Sequence, residues 1–355
     1  MATSQRSWWI SHFLRIILLS VVFSLLSGCY SSPISGGSAS GFSESLKPSE
    51  IQSTETPVVF QPTEEETQMG NITVTPPIQI TPENLDEITT EVEEMNELLF
   101  KPMFEFPIPD SGSRSIETSY RFGSTQFGER IPHDGIEILN PLGTPVLAAE
   151  AGTVFFSGND RTKKWGRYTN FYGNFIILEH HVNDTDLPIY TLYAHLSEIL
   201  VQEGDSVNRG QMIALVGATG KAFTNHLHFE VRVGDILLQN ARNPELYLPL
   251  IPSEDQREPG ILIGSVITLN GSPVPGVSVV IQRLIDGIIQ PGSTIYVETY
   301  AKPISGDQNW QENFVVSNLP AGDYRVSVFA FQHFIEKFIT IKPNEFVHLI
   351  LKPEE

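Results

Sequence analysis

Asn225-His226-Leu227-His228-Phe229-Glu230-Val231 sets two histidines into an alternating apolar run. Leu, Phe and Val are strand formers, and the alternation has the period of a β-strand. Residues two apart on a strand point to the same face, so His226 and His228 project side by side, about 6.5 Å apart at about 3.3 Å per residue. Such a pair can put one imidazole nitrogen on a metal at about 2.0–2.1 Å and leave the other to handle a proton beside it. Alone, His-x-His on a strand is a weak signal, and its weight depends on partners elsewhere in the chain.

Those partners lie upstream. Pro132-His133-Asp134-Gly135-Ile136-Glu137-Ile138 carries a histidine and two carboxylates, and Leu192-Tyr193-Ala194-His195-Leu196-Ser197 adds a further histidine. Around them, short Val/Ile/Leu/Phe/Tyr runs at 145–149, 152–156, 174–180 and 211–216 alternate with Gly, Pro, Asn and Asp turns. Strands so closely spaced leave no room for crossover helices, which predicts an antiparallel all-β domain over 116–250. Three His-bearing strands or turns of one such sheet can converge on one face.

This set resembles the M23 (LytM/lysostaphin-type) zinc metallopeptidases of peptidoglycan, whose pattern is His-x-x-x-Asp, a His after Tyr-x, and His-x-His. The framing segments are similar too: Gly143-Thr144-Pro145-Val146, Gly204-Asp205-Ser206-Val207, and Gly217-Ala218-Thr219-Gly220 leading into the last motif. The resemblance covers about a third of the chain. It implies Zn2+ held by His133, Glu137 and His228, with His195 and His226 as catalytic groups, and a peptide of peptidoglycan as substrate. Glu137 stands where the family carries Asp. Glu reaches about 1.5 Å further, and His₂Glu is a sound zinc set. On a straight strand positions 133 and 137 would lie about 13 Å apart, so sharing a metal requires a bend, for which Gly135 is a permissive point. Asp134, adjacent in sequence, is expected to point away from the metal. Three protein ligands leave a fourth position open, as catalysis requires.

Two rival readings go with this one. The first is a non-catalytic M23-like protein that binds peptidoglycan or activates another hydrolase, which the Glu137 departure keeps open. The second is a lipoyl or biotinyl carrier, suggested by the hairpin pattern of 143–158 and 201–217; it lacks a lysine at the exposed turn. Among other residues, His180 or His181 is a candidate to line the groove or a satisfied strand histidine. Tyr193 is expected in the core. Trp165 and Tyr168, in the Gly/Asn-rich insertion 158–173, are candidates for substrate contact or ordinary loop packing, and Asn225 for a turn or a substrate contact.

The remainder of the chain organises this domain in space. Residues 1–29 have Arg6 and Arg15, a short apolar core, and Leu26-Ser27-Gly28-Cys29. That is an export signal, and Leu-Ser-Gly-Cys resembles a lipobox, which implies cleavage before Cys29 and a lipid on its sulfur. The expectation is an exported, extracytoplasmic, membrane-anchored lipoprotein of the cell envelope. Residues 30–80, rich in Ser, Thr, Pro and Glu, read as a disordered tether. In 81–115, Leu85, Ile88, Val92, Met95 and Leu99 recur at helical spacing after Thr81-Pro82, predicting a short amphipathic helix and a connector. From 260 to 353, about seven strand-like runs predict a β-sandwich. Gly271-Ser272-Pro273-Val274-Pro275-Gly276 and Leu319-Pro320-Ala321-Gly322 resemble the carboxypeptidase regulatory-like module, which implies a spacer or a surface for a protein or glycan partner. A formal net charge of −20 over 355 residues argues against a nucleic-acid partner and against electrostatic adhesion to anionic lipid. The single cysteine excludes an internal disulfide and a Cys-rich zinc site.

Overall fold

The computed structural model describes residues 100–182, 187–252 and 257–354. The expected signal, Cys29, tether and amphipathic helix lie outside the described residues. Within them the regular structure is β-strand apart from two three-residue 3-10 turns, and no helix is long and apolar enough to cross a membrane.

The first sheet is built from β1 (Ile136–Leu139), β3 (Gly152–Asn159), β4 (Asn174–His180), β5 (Ile189–Ala194), β7 (Ser206–Val207), β9 (His226–Val233) and β10 (Ala241–Arg242). All its pairings are antiparallel, in the order β1-β9-β5-β4-β3-β7, with β10 also on β9. A smaller antiparallel sheet runs β2 (Pro145–Leu147), β8 (Met212–Leu215), β6 (Glu198–Ile199). Period-2 alternation splits the side chains of the large sheet between two apolar layers. Ile176, Leu178, Tyr193, Leu227, Phe229 and Val231 join Val146, Ile213 and Ala214 of the small sheet in the main core. Phe175, Ile177, Leu192 and Ala194 face the other way, under Tyr172 and the partly buried Trp165. Phe104, Phe106 and Ile108, which precede the first strand, are fully enclosed in the main core.

The C-terminal part is a sandwich of two sheets. One is β15 (Phe314–Pro320), β11 (Pro259–Val266), β18 (Phe346–Leu351); the other is β13 (Ile288–Ile289), β12 (Ser278–Ile285), β16 (Gly322–Ala330), β17 (His333–Ile341), with β14 (Ile295–Glu298) on β12. Leu262, Phe314, Val316 and Leu351 of the first meet Val279, Ile281, Val326 and Val328 of the second in one apolar layer. The eighth strand beyond the expected seven is the two-residue β13, which pairs with β12 across Asp286-Gly287. It is too short to leave an alternating pattern in sequence. One pairing is parallel, β11 with β18; this joins strands far apart in the chain, which periodicity cannot reveal.

Candidate metal centre

On β9, His226, His228 and Glu230 share the face opposite Leu227, Phe229 and Val231, whose side chains anchor the strand in the main core. The β1–β9 register sets Glu137 directly across from His228. His133 reaches the same place because the chain bends at Asp134-Gly135 just before β1. Gly135 is needed there for room rather than for a left-handed backbone. A Cβ on it would collide with the Phe229 carbonyl oxygen and press on the Glu230 and His228 side chains. His195 follows β5 with φ +64°, a left-handed conformation unusual for a non-glycine residue and concentrated at functional sites.

Three donor atoms converge. His133 Nε2 is 2.9 Å from Glu137 Oε1, His228 Nδ1 is 3.2 Å from that oxygen, and the two nitrogens are 3.3 Å apart. Tetrahedral ligands of one zinc at about 2.0–2.1 Å would lie about 3.3 Å from one another. The far nitrogen of each ring decides what the near one offers. His133 Nδ1 lies 2.8 Å from the Tyr120 carbonyl oxygen, which can only accept, so Nδ1 carries a proton and Nε2 is the nitrogen turned to Glu137. His228 Nε2 is held in the same way, 3.0 Å from Glu230 Oε1. His195 Nδ1 faces Thr219 O at 2.8 Å, and His226 Nδ1 faces Thr224 O at 2.8 Å. Ring nitrogens of His133, His226 and His228 thus converge on the Glu137 carboxylate, an arrangement that calls for a cation among them. Glu137 Oε2 stands 2.7 Å from His226 Nε2 but without hydrogen-bond alignment, which leaves a buried carboxylate oxygen unsatisfied.

The charges agree. Burial weighs against ionisation of Glu137, yet the charge of His228 and the close approach of the His133, His226 and His228 ring nitrogens outweigh it and hold the carboxyl well below its usual range. Burial likewise opposes charge on His228, but Glu137 and then Glu230 raise it to about 10. The cluster therefore demands a positive charge beside Glu137, which a proton on His228 or a metal ion can supply. His195 goes the other way: burial first, then the neighbouring His228, lowers it to about 3, so it is neutral.

Behind the donors lies a buried network. Glu230 accepts from Tyr172 Oη at 2.7 Å and pairs with Arg232 Nη2 at 2.7 Å. Asp134 is not among the converging donors and is clamped by Arg167 of the 158–173 insertion at 2.7 and 2.9 Å. A groove of about 650 Å³ runs over the site, walled by Tyr120, Arg130, Tyr168, Lys221 and Phe223 among others.

His133, Glu137, His228, His195 and His226 are thus brought together. Cys29 lies outside the described residues. His180 is buried between Ala151 O and Thr191 Oγ1, away from the groove, and His181 is largely exposed. Tyr193 is in the core, Trp165 packs on Phe156 and Phe175, and Tyr168 lines the groove. Glu230 and Tyr120 were missed. Glu230 had a signal, since it falls two residues after His228 on the same face; Tyr120, which stacks on the His133 ring at 4.1 Å, had none.

Three convergent protein donors with open space beside them define a candidate catalytic metal centre, whereas a structural zinc site fills all four positions from protein. The family follows from the surrounding sequence: residues 131–244 match peptidase family M23, and the chain carries a domain of that family. Over 107 residues it is 39% identical to the peptidoglycan DD-endopeptidase ShyB of Vibrio cholerae, covering 30% of this chain and 22% of that one. It is 38% identical over 115 residues to the uncharacterized lipoprotein YgeR of Escherichia coli, covering 32% of this chain and 39% of that one. Among solved structures, the catalytic domain of the antimicrobial peptidase lysostaphin from Staphylococcus simulans is 34% identical, with 32% of this chain and 76% of that one covered and a TM-score of 0.27. The chain spans about a fifth of the length of the Vibrio cholerae endopeptidases it matches.

Proposed function

We propose that the protein is a zinc-dependent endopeptidase that hydrolyses peptide bonds of peptidoglycan, acting outside the cytoplasm from a lipid on Cys29. The observation that carries this reading is the convergence of His133 Nε2, Glu137 Oε1 and His228 Nδ1 on one point, with the far nitrogen of each ring already held by an acceptor. These residues would hold the zinc, which when bound polarises a peptide carbonyl and lowers the pKa of a water toward about 7. The substrate class follows the named activity of the Vibrio cholerae relatives; the anchor follows the Leu-Ser-Gly-Cys motif and the name of the Escherichia coli relative.

The protein's own groups do the rest. His195 and His226, each fixed by a backbone carbonyl at Nδ1, turn Nε2 toward the site and can take a proton from the attacking group and return it to the leaving amine. When protonated, either ring can donate to the oxyanion of the tetrahedral intermediate. Low dielectric around these buried rings strengthens both roles. The groove admits an extended peptide of several residues and orients the scissile bond over the donors. Glu137 reaches the donor set despite its extra carbon, so the departure from Asp does not by itself favour the non-catalytic reading.

Zinc-loaded protein is expected to release muropeptide fragments from isolated sacculi, with masses that identify the bond cleaved, and His228→Ala to release none. Intact sacculi after incubation with the zinc-loaded wild type would refute the reading. Labelling with a radioactive fatty acid is expected to mark the wild type and to fail with Cys29→Ala.

A further inference from the structure

One wall of the groove is not held by the peptidase sheet. The 119–132 segment crosses from β14 of the C-terminal sandwich to His133, and its backbone takes left-handed φ values at Gly123, Gln126, Phe127 and Gly128. Gln126 and Phe127 are not glycines, and such values are costly for them. The Phe127 side chain is 67% exposed, so its own burial does not hold the shape. What meets the segment is the Glu298 carboxylate. It accepts from Ser124 Oγ at 2.8 Å, Thr125 N at 2.9 Å, Thr125 Oγ1 at 2.7 Å and Phe127 N at 3.1 Å. An anion gripped by two backbone N–H groups and two hydroxyls of one turn is a strong, directional anchor.

The contact runs on to the metal centre. Ala301 N donates to Gly123 O at 2.9 Å, and Gly123 N donates to His133 O at 2.8 Å. Gly123 lies flat on the Tyr300 ring, where a Cβ would collide, and Phe122 meets that ring edge-on at 5.0 Å. A second buried tie lies nearby: Glu245 accepts from Arg121 at 2.8 and 2.9 Å and from Ser317 N and Oγ of the sandwich at 2.9 and 2.6 Å. Between these anchors and the donors stands Tyr120. Its carbonyl sets the His133 tautomer, its ring stacks on the imidazole, and its hydroxyl closes the segment on Ile131 O at 2.6 Å.

We propose that Glu298, on the C-terminal sandwich, is a positioning residue for the metal centre: it holds the 119–132 segment in the shape that orients His133 and walls the groove. The sandwich is then a brace of the peptidase site and not only a spacer. The proposal rests on the reading of His133 as a metal ligand.

The test uses the full chain with Glu298→Gln, which keeps the volume and removes the anion, and Thr125→Val, which removes one donor from the facing side. Hydrogen exchange read by mass spectrometry is expected to rise on the order of tenfold in peptides spanning 119–131 while β4 and β5 stay protected. Zinc affinity against a competing chelator is expected to fall on the order of tenfold. Glu336→Gln, whose carboxylate pairs with Arg325 on the sandwich surface, is expected to change neither reading. Loop exchange at the wild-type level, a uniform rise across the domain, or an unchanged zinc affinity in both variants would each overturn the proposal. Neither measurement needs peptide cleavage: a wild type that binds no zinc fails the metal-centre reading, and one that binds zinc but leaves sacculi intact fails only the proposed activity.

Discussion

His228 Nε2 and Glu230 Oε1 lie 3.0 Å apart on the same face of β9, and this contact leaves His228 Nδ1 to point at Glu137. A carboxylate on the far nitrogen of a liganding imidazole fixes its tautomer and raises its basicity. Glu230→Gln is therefore expected to lower zinc affinity about 10–100-fold by chelator competition. It also leaves Arg232 buried without its anion, so the melting temperature is expected to fall, by the equivalent of about 3 kcal/mol or more.

Glu137 supplies the one anionic donor of the set. Glu137→Ala is expected to lose zinc on dialysis, measured by elemental analysis. Glu137→Asp draws the carboxylate back by about one C–C bond, 1.5 Å, and is expected to bind zinc more weakly than the wild type. Equal or tighter zinc binding by Glu137→Asp would show that the site is not built around the longer side chain.

Gly135 packs against β9 where any side chain meets backbone. Gly135→Ala is expected to destabilise by about 1–3 kcal/mol in urea unfolding, because the Phe229 carbonyl cannot yield without disturbing the ladder. The same shift displaces His228, so zinc affinity falls with stability.

His180 is buried between Ala151 O and Thr191 Oγ1, and burial lowers its pKa from 6.5 to about 4. The unfolded chain then binds the extra proton first. Stability is fully present above pH 6.5 and declines as pH falls toward 4, by on the order of 3 kcal/mol at the lower end. His180→Gln is expected to flatten that acid limb of the melting profile.

Glu312 shows the opposite sign. Burial raises it from 4.5 to about 8, with Asp307 N and Tyr300 Oη donating to it. Its contribution is fully present below pH 4.5 and is lost as pH rises through 8, on the order of a few kcal/mol. Glu312→Gln is expected to remove this alkaline decline, seen as convergence of melting temperatures at low pH and divergence at high pH.

Much of the site was legible before any coordinates. The alternation around His226 and His228 implied one face of one strand, and β9 has that face; 174–180 was read as a strand to the residue. The expected bend at Gly135 occurs, for a different reason: close approach to β9 rather than a left-handed backbone. His180, open between groove and core, is settled by two hydrogen bonds to residues 11 and 29 positions away.

The sequence alone determined the residue types, their spacing and the strand periodicity, because side-chain alternation is a local property written every two residues. Tertiary structure decided which ring nitrogens face inward, since ring orientation depends on carbonyls brought in by the fold, such as Tyr120 O against His133. It also decided that Glu298 meets Thr125 across 173 residues of chain. That contact depends on how two β units dock, and strand periodicity carries no trace of docking. The His226-Leu227-His228 strand pointed to a candidate metal site only together with His133 and Glu137; the geometry of that site is completed by groups the pattern could not name.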